Sequence, residues 1–301
     1  MKTKRLTGIL LSVVLAFSVL SVTGCGDKIF NGSYKVASAE EILTLKSDLC
    51  APNGEVAFDE DDVKDSSGYE ISLKFAMNYG DGENFINKIE YVSNGKVVRA
   101  DGKVNMLSSV KTSTYYKSNG QEIADTKTEG NIYYDGEYAY ASMVINGSSY
   151  GHKITTSYKN KEEVYFGDVK EFVGLDMLDL TLSLELYKAI CDIEKIGGKV
   201  EIDFSKETQH KVKLSVDSKK FKRYLEKQGE STYNFDFDKY EMVFVYNNQT
   251  KEIVAIKYAV KVIGGKTALD VDTTIKPFSG SIQAPRGLEE YKLGSLSGSF
   301  S

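Results

Sequence analysis

From Tyr69 the chain alternates large apolar and mostly polar side chains. Tyr69, Ile71, Leu73, Phe75 and Met77 are separated by Glu70, Ser72, Lys74, Ala76 and Asn78. A period of two predicts a strand with one buried and one wet face. A slip of one residue would turn all five large side chains to water, so the register is well specified. Burying each contributes about 1.5–3 kcal/mol before the entropy cost. Further strands are expected near 86–92, 96–105, 108–117, 131–134 and 152–158. Asp135-Gly136 reads as a type I′ hairpin signal between Ile132-Tyr134 and Glu137-Ile145. Later, Val200, Ile202 and Phe204 alternate, as do Val212, Leu214 and Val216. Three long strands, about 235–246, 253–263 and 267–276, close the fold. In the second of them Val254, Ile256, Tyr258, Val260 and Val262 face one way.

The helical signals are fewer. Ser38-Ala39-Glu40-Glu41 has the capping-box pattern ahead of Ile42, Leu43 and Leu49, predicting a helix over 39–49. Across 168–196, Leu178, Leu180, Leu182, Leu184 and Leu186 alternate as a strand would. The helix-forming composition and the closing Gly197-Gly198 outweigh that, so the segment is expected to be helical with a break near Gly174. Asp217-Ser218 caps a helix carrying Phe221, Tyr224 and Leu225, which stops at Gly229. No linker and no short repeat divides the chain. Residues 38–301 are therefore expected to form a single α+β domain. Its core is a large curved antiparallel β-sheet, an unclosed half-barrel, with a few helices covering the concave face.

The N-terminus changes where that domain is expected to sit. Lys2, Lys4 and Arg5 precede an uncharged apolar run from Ile9 to Leu20, the layout of a secretory signal peptide. Val22-Thr23-Gly24-Cys25 is similar to the lipobox of bacterial lipoproteins, which implies lipidation of Cys25 and removal of residues 1–24. Two acyl chains would hold a folded domain stably at a membrane, at about 0.8 kcal/mol per buried CH₂. Residues 25–37, short and polar, read as a lipidated tether. The expected location is the extracytoplasmic face of the cell membrane. Losing residues 1–24 removes three positive charges from a formal net charge of −5, leaving −8. Such an acidic body is expected to project from anionic headgroups.

Lys plus Arg is 38 against 43 Asp plus Glu, so there is no basic excess for a nucleic-acid partner. Two histidines, three cysteines and no P-loop, dinucleotide fingerprint or C-x-x-C leave no expected cofactor or metal. Cys50 and Cys191 are either a disulfide, nominally worth about 4–5 kcal/mol, or two buried free thiols. Gly147-Ser148-Ser149-Tyr150-Gly151 matches G-x-S-x-G, with His152 next. A nucleophile elbow needs a helix after the serine, whereas His152 to Tyr158 alternates as a strand, so 146–149 reads as a hairpin turn and the hydrolase reading is disfavoured. His152 and His210 are expected on solvent-facing strand positions. Asp59, Asp61, Ser67 and Glu70 have the spacing of calcium ligands, but Val63 and Lys64 occupy positions needing an oxygen and a glycine. Tyr133, Tyr134, Tyr138 and Tyr140, with Tyr115 and Tyr116, read chiefly as cross-strand pairs, and alternatively as an amphipathic groove lining.

Lipobox, N-terminal helix, long antiparallel strands, intervening helices and a terminal meander together resemble the LolA/LppX-LprG type of bacterial lipoprotein. The most similar local stretch is Met242-Tyr246, the turn Asn247-Lys251 and Ile253-Val262. That resemblance implies an unclosed barrel with a cavity for acyl chains, and so binding or carriage of a lipid-like ligand; it transfers no site residues. The alternative is an envelope interaction module that binds a protein, peptide or glycan without a cavity. Exposed tyrosines such as Tyr138 and Tyr140 motivate it.

Overall fold

A computed structural model describes residues 28–50, 61, 63, 68–80, 85–227, 236–264 and 267–296. Thirteen strands form one unclosed sheet with four α-helices and two 3-10 segments among these residues. Two meanders build it. The first runs through β2 (Gly68–Gly80), β3 (Phe85–Ala100), β4 (Lys103–Ser118), β5 (Gln121–Tyr134), β6 (Tyr138–Ser149) and β7 (His152–Glu163). The second runs through β8 (Lys199–Asp203), β9 (Gln209–Ser215), β10 (Asp236–Asn247), β11 (Ile253–Gly264) and β12 (Thr267–Phe278). They meet where Lys276, Pro277 and Phe278 of β12 pair antiparallel with Glu70, Tyr69 and Gly68 of β2. Two short strands guard the outer edges: β1 (Lys35–Val36) on β8, and β13 (Lys292–Leu293), running parallel to Asn160–Lys161 of β7.

The helices arise where the sequence places them. In α1 (Ala39–Asp48) the Ser38 hydroxyl accepts from the Glu41 amide while the Glu41 carboxylate accepts from the Ser38 amide. Between the meanders lie α2 (Phe166–Phe172), a 3-10 segment (Leu175–Thr181) and α3 (Ser183–Ile196). Gly174 in the left-handed region makes the break, and Gly197 in the same region ends α3. A salt bridge of 3.0 Å from buried Lys170 to Asp179 ties α2 to the 3-10 segment. The last helix, α4 (Ser218–Lys227), starts where Asp217 accepts from the Lys219 and Lys220 amides; Gly229 lies outside the described residues.

Helices and sheet share one core on the inner face. It joins Phe166, Val173, Leu175 and Leu178, and Leu186, Ile190 and Phe221, to Ile71, Leu73, Val97, Met106 and Ile132 of the first meander and Val212, Leu214, Phe244 and Ile256 of the second. Leu175 sits over Gly95, where any Cβ would lie 2.8 Å from its methyl group. The strands expected separately near 86–92 and 96–105 are instead one unbroken β3 through Asn94-Gly95, the glycine making room for a neighbouring side chain. The β3–β4 hairpin turns at Asp101-Gly102, inside the expected 96–105 strand, with φ of 53° and 76°. Both central residues are positive again at Asn119-Gly120, the type I′ pattern. At Asp135-Gly136 only the glycine is positive. There the Asp135 carboxylate accepts from the Glu137 and Tyr138 amides and shapes a side-chain-held turn rather than the expected type I′.

Residues 28–37 correct the expected tether. Phe30 is buried on the outer face against Val243, Val245 and Ala255. Ser33 donates its amide to Asp203, Lys211 donates to the Asn31 carbonyl, and β1 extends the sheet. The segment carries Ile29, Phe30 and Tyr34, and apolar and aromatic side chains of that size pack rather than dangle. Residues 1–27, with the signal segment and Cys25, lie outside the described residues.

Candidate functional site

Paired residues in an antiparallel sheet share a face, so the registers of β2 to β7 sort every side chain. The inner face near the helices is filled by the core. Toward the other strand ends, beyond Phe75, Ser93 and Val110, the face is no longer fully buried among the described residues, although Met77, Ile89, Tyr91 and Tyr158 still pack against the margin of the core. Met77, Tyr79, Asn87, Ile89 and Tyr91 continue that face on β2 and β3. Thr112, Thr114 and Tyr116 continue it on β4, Thr126 and Thr128 on β5, Ile145 on β6, and Ile154, Thr156 and Tyr158 on β7. Nearly all are half-buried, and none of these strand positions carries a charge.

The outer side of the same strands is the opposite. Lys88, Glu90, Lys111, Lys127, Glu129, Lys153 and Lys159 project there, with Lys111 and Glu129 paired at 3.0 Å. Salt and water solvate that side. The inner side offers hydroxyls, amides, aliphatic groups and rings. Thr112 sits directly opposite Thr128, and Thr114 opposite Thr126, the β-branched cross-strand pairing that holds a strand without a core beneath it.

At the tip of this open face three rings meet edge to face. Tyr79 and Phe85 lie 5.4 Å apart and Phe85 and Tyr116 5.7 Å apart, with Tyr79 42% exposed. Tyr150 crowns the neighbouring hairpin. Its φ of 49° is unusual for a bulky residue, and its side chain is 74% exposed. Its amide bonds to the Ile123 carbonyl at 2.7 Å, while its exposed ring adds nothing to the core, and such backbone strain concentrates at functional positions. With Gly151 at 75° it forms the β6–β7 turn. Gly147 and Ser149 belong to β6 and His152 begins β7, so the G-x-S-x-G run is strand, turn, strand. The turn, centred on Tyr150-Gly151, falls three residues beyond the expected 146–149. Ser149 and His152 face each other across it.

The expected tyrosine cluster divides. Tyr134 is core, 6.1 Å from the Phe166 ring. Tyr133 and Tyr140 pair across strands on the outer face, and Tyr291 packs edge-on against Tyr140. Burial and the nearby Asp135 push the Tyr140 phenol up to about 12, and that carboxylate accepts its proton at 3.2 Å. Tyr140 is thus a packed residue; of the exposed aromatics, Tyr79 and Tyr150 are at the open strand tips and Tyr165 lies just ahead of α2.

A second polar group escaped the sequence reading. His210 is half-buried, stacked on Phe204 at 4.1 Å, with Nδ1 3.2 Å from the Tyr246 hydroxyl. Tyr246 donates to Asp48 at 3.2 Å, and Asp48 also pairs with Lys251 at 3.0 Å. Burial, then Lys251, lowers the His210 pKa, while burial and Asp48 raise that of Tyr246. The chain of contacts pins the end of α1 to the β10–β11 hairpin. It corrects the expectation of a solvent-facing His210; His152 is exposed as expected. Cys50 is exposed and Cys191 half-buried, both free thiols. Of the calcium-like set, Asp61 pairs with Arg99 at 3.3 Å, Glu70 lies in β2, and Asp59 and Ser67 lie outside the described residues.

Neither a protein-family model nor a curated protein matches the chain.

Proposed function

We propose that this is a lipid-anchored extracytoplasmic protein that holds an electrically neutral glycan of the cell envelope on the open inner face of β2 to β7. The uncharged face is the observation that carries the reading. A hydroxyl-rich chain without charge is held by donors, acceptors and ring faces and gains no long-range attraction from fixed charges, so an uncharged face of hydroxyls and rings suits it. Thr112, Thr114, Thr126 and Thr156 supply hydroxyls, and Tyr79, Phe85, Tyr116 and Tyr150 supply rings. Aromatic side chains present that area at low entropic cost.

The test is binding of the domain lacking residues 1–24 to neutral envelope polysaccharides by calorimetry. Tyr79→Ala and Tyr116→Ala should each weaken binding roughly tenfold, about 1.4 kcal/mol. Lys111→Ala and Glu129→Ala on the reverse side should leave it unchanged. Binding that is lost only with the reverse-side changes would sink the reading. A lipid-like ligand on the same face is the second reading, favoured by half-buried Met77, Ile89, Ile145 and Ile154 and by the half-barrel resemblance. Native mass spectrometry showing a co-purified acyl chain would select it.

A further inference from the structure

We propose that the flank of the sheet bearing the docked N-terminal segment rests directly on the bilayer, with the β8–β9 connection and the β10–β11 hairpin at the lipid headgroups. This rests on the reading of Cys25 as the lipid-bearing residue. Only Gly26 and Asp27 separate Cys25 from Lys28. Three peptide steps reach at most about 11 Å.

From Ile29 onward the chain packs on the domain, Lys211 donates to the Asn31 carbonyl, and bonds within the segment hold Lys28 to that docked turn. The Asn31 amide bonds to the Lys28 carbonyl at 3.3 Å, and the Tyr34 hydroxyl donates to the Phe30 carbonyl at 2.6 Å. Phe30 fills a small cluster with Val243, Val245 and Ala255. Gly32 passes so close to Asp203 that any Cβ there would meet its carboxylate at 2.4 Å. Lys213 lies over the Tyr34 ring at 6.0 Å. A lipid on Cys25 is therefore held by a leash too short to let the body float free.

Residues beside the fastening point suit a headgroup layer. Val245 and Ala255 are each two residues from the hairpin 247–253, whose Asn248 amide bonds to the Thr208 carbonyl at 3.1 Å and joins the two loops. Lys206 is followed by Glu207 and Lys251 by Glu252, between neutral Ser205, Thr208, Asn248, Gln249 and Thr250. Asp48, paired with Lys251, adds one negative charge and Lys28 one positive, so these charges cancel and the overall acidity of the chain does not repel this flank from anionic lipid.

The experiment uses the full chain, made as a lipoprotein and reconstituted into vesicles of phosphatidylethanolamine and phosphatidylglycerol carrying a headgroup quencher. In a Cys50→Ser, Cys191→Ser background, a fluorophore is attached at Gln249→Cys or, in the β4–β5 turn, at Asn119→Cys. The Gln249→Cys probe should be quenched several-fold more strongly. A flexible spacer inserted between Gly26 and Lys28, which leaves Phe30 packed, should abolish the difference. Equal quenching at both sites in protein that carries labelled fatty acid overturns this proposal alone. Absence of fatty acid from the wild type, or its persistence in Cys25→Ser, overturns the anchor reading as well.

Discussion

On β4, Val104, Met106 and Val110 are 0–1% exposed beneath the helices, whereas Thr112, Thr114 and Tyr116 on the same face of the same strand stand half open. The alternation runs through both halves without a break. Only the side chains change, from aliphatic to β-branched hydroxyl and aromatic. The covered half is stabilised by removing apolar area from water. The open half is stabilised by two-sided hydrogen bonding, paired threonines and, on its reverse, paired charges. A sheet can thus outrun its own core, and the surface it gains is hydrogen-bonded on both sides without being filled.

The two halves should respond differently to substitution. Phe244→Ala, fully buried in the covered region, should cost about 3–5 kcal/mol in denaturant unfolding. Thr114→Ala should cost within about 0.5 kcal/mol by the same measurement. Equal losses would mean that the open half is also packed against something. Gly147→Ala tests whether the open half depends on backbone geometry. Its φ is 151° and a Cβ would stand 2.0 Å from the Asp125 carbonyl oxygen, so a loss of about 1–3 kcal/mol is expected. Tyr150→Gly should instead stabilise, by roughly 0.5–1 kcal/mol, because it relieves a left-handed bulky residue. It should also weaken glycan binding in calorimetry. A stability gain with unchanged affinity would detach Tyr150 from the site.

The smallest effect expected is in pH dependence. The folded His210 pKa lies below its ordinary value of about 6.5, so the unfolded chain binds more protons as pH falls through that value. The stability from neutral His210 is full above about 6.5 and is lost as pH drops toward the folded pKa. His210→Gln should flatten that part of the profile; an unchanged slope would assign it to other groups.

Legibility in the sequence followed burial. The buried strands, the capping box at Ser38 and Glu41, the break at Gly174 and the Gly197 stop were all readable, because each is a local or periodic demand on residue type. Residues 121–130, Gln-Glu-Ile-Ala-Asp-Thr-Lys-Thr-Glu-Gly, give almost no hydrophobic alternation, since one face of that stretch of β5 is exposed and the other only half-buried and built of small or hydroxyl side chains. The charge-free face becomes apparent only once registers align Thr112 with Thr128 and Ile145. The docking of Phe30 and the His210–Tyr246–Asp48 contacts were invisible for a different reason. They join residues far apart in the chain, and a lone ring or imidazole carries no signal of its partner.

The seam between the meanders bears on how the molecule comes to be folded. Every hairpin of β2 to β7 closes over a few residues, so that meander can form quickly from local contacts alone. Gly68, by contrast, waits for Phe278. Until β12 is made, one side of β2 is an unsatisfied template, and closing a loop of that length is slow and open to rival chains. Amides of β12 should therefore gain protection last in pulsed hydrogen exchange. Late truncations should yield a competent first meander with an adhesive edge, and aggregation rather than simple loss of structure should be their signature.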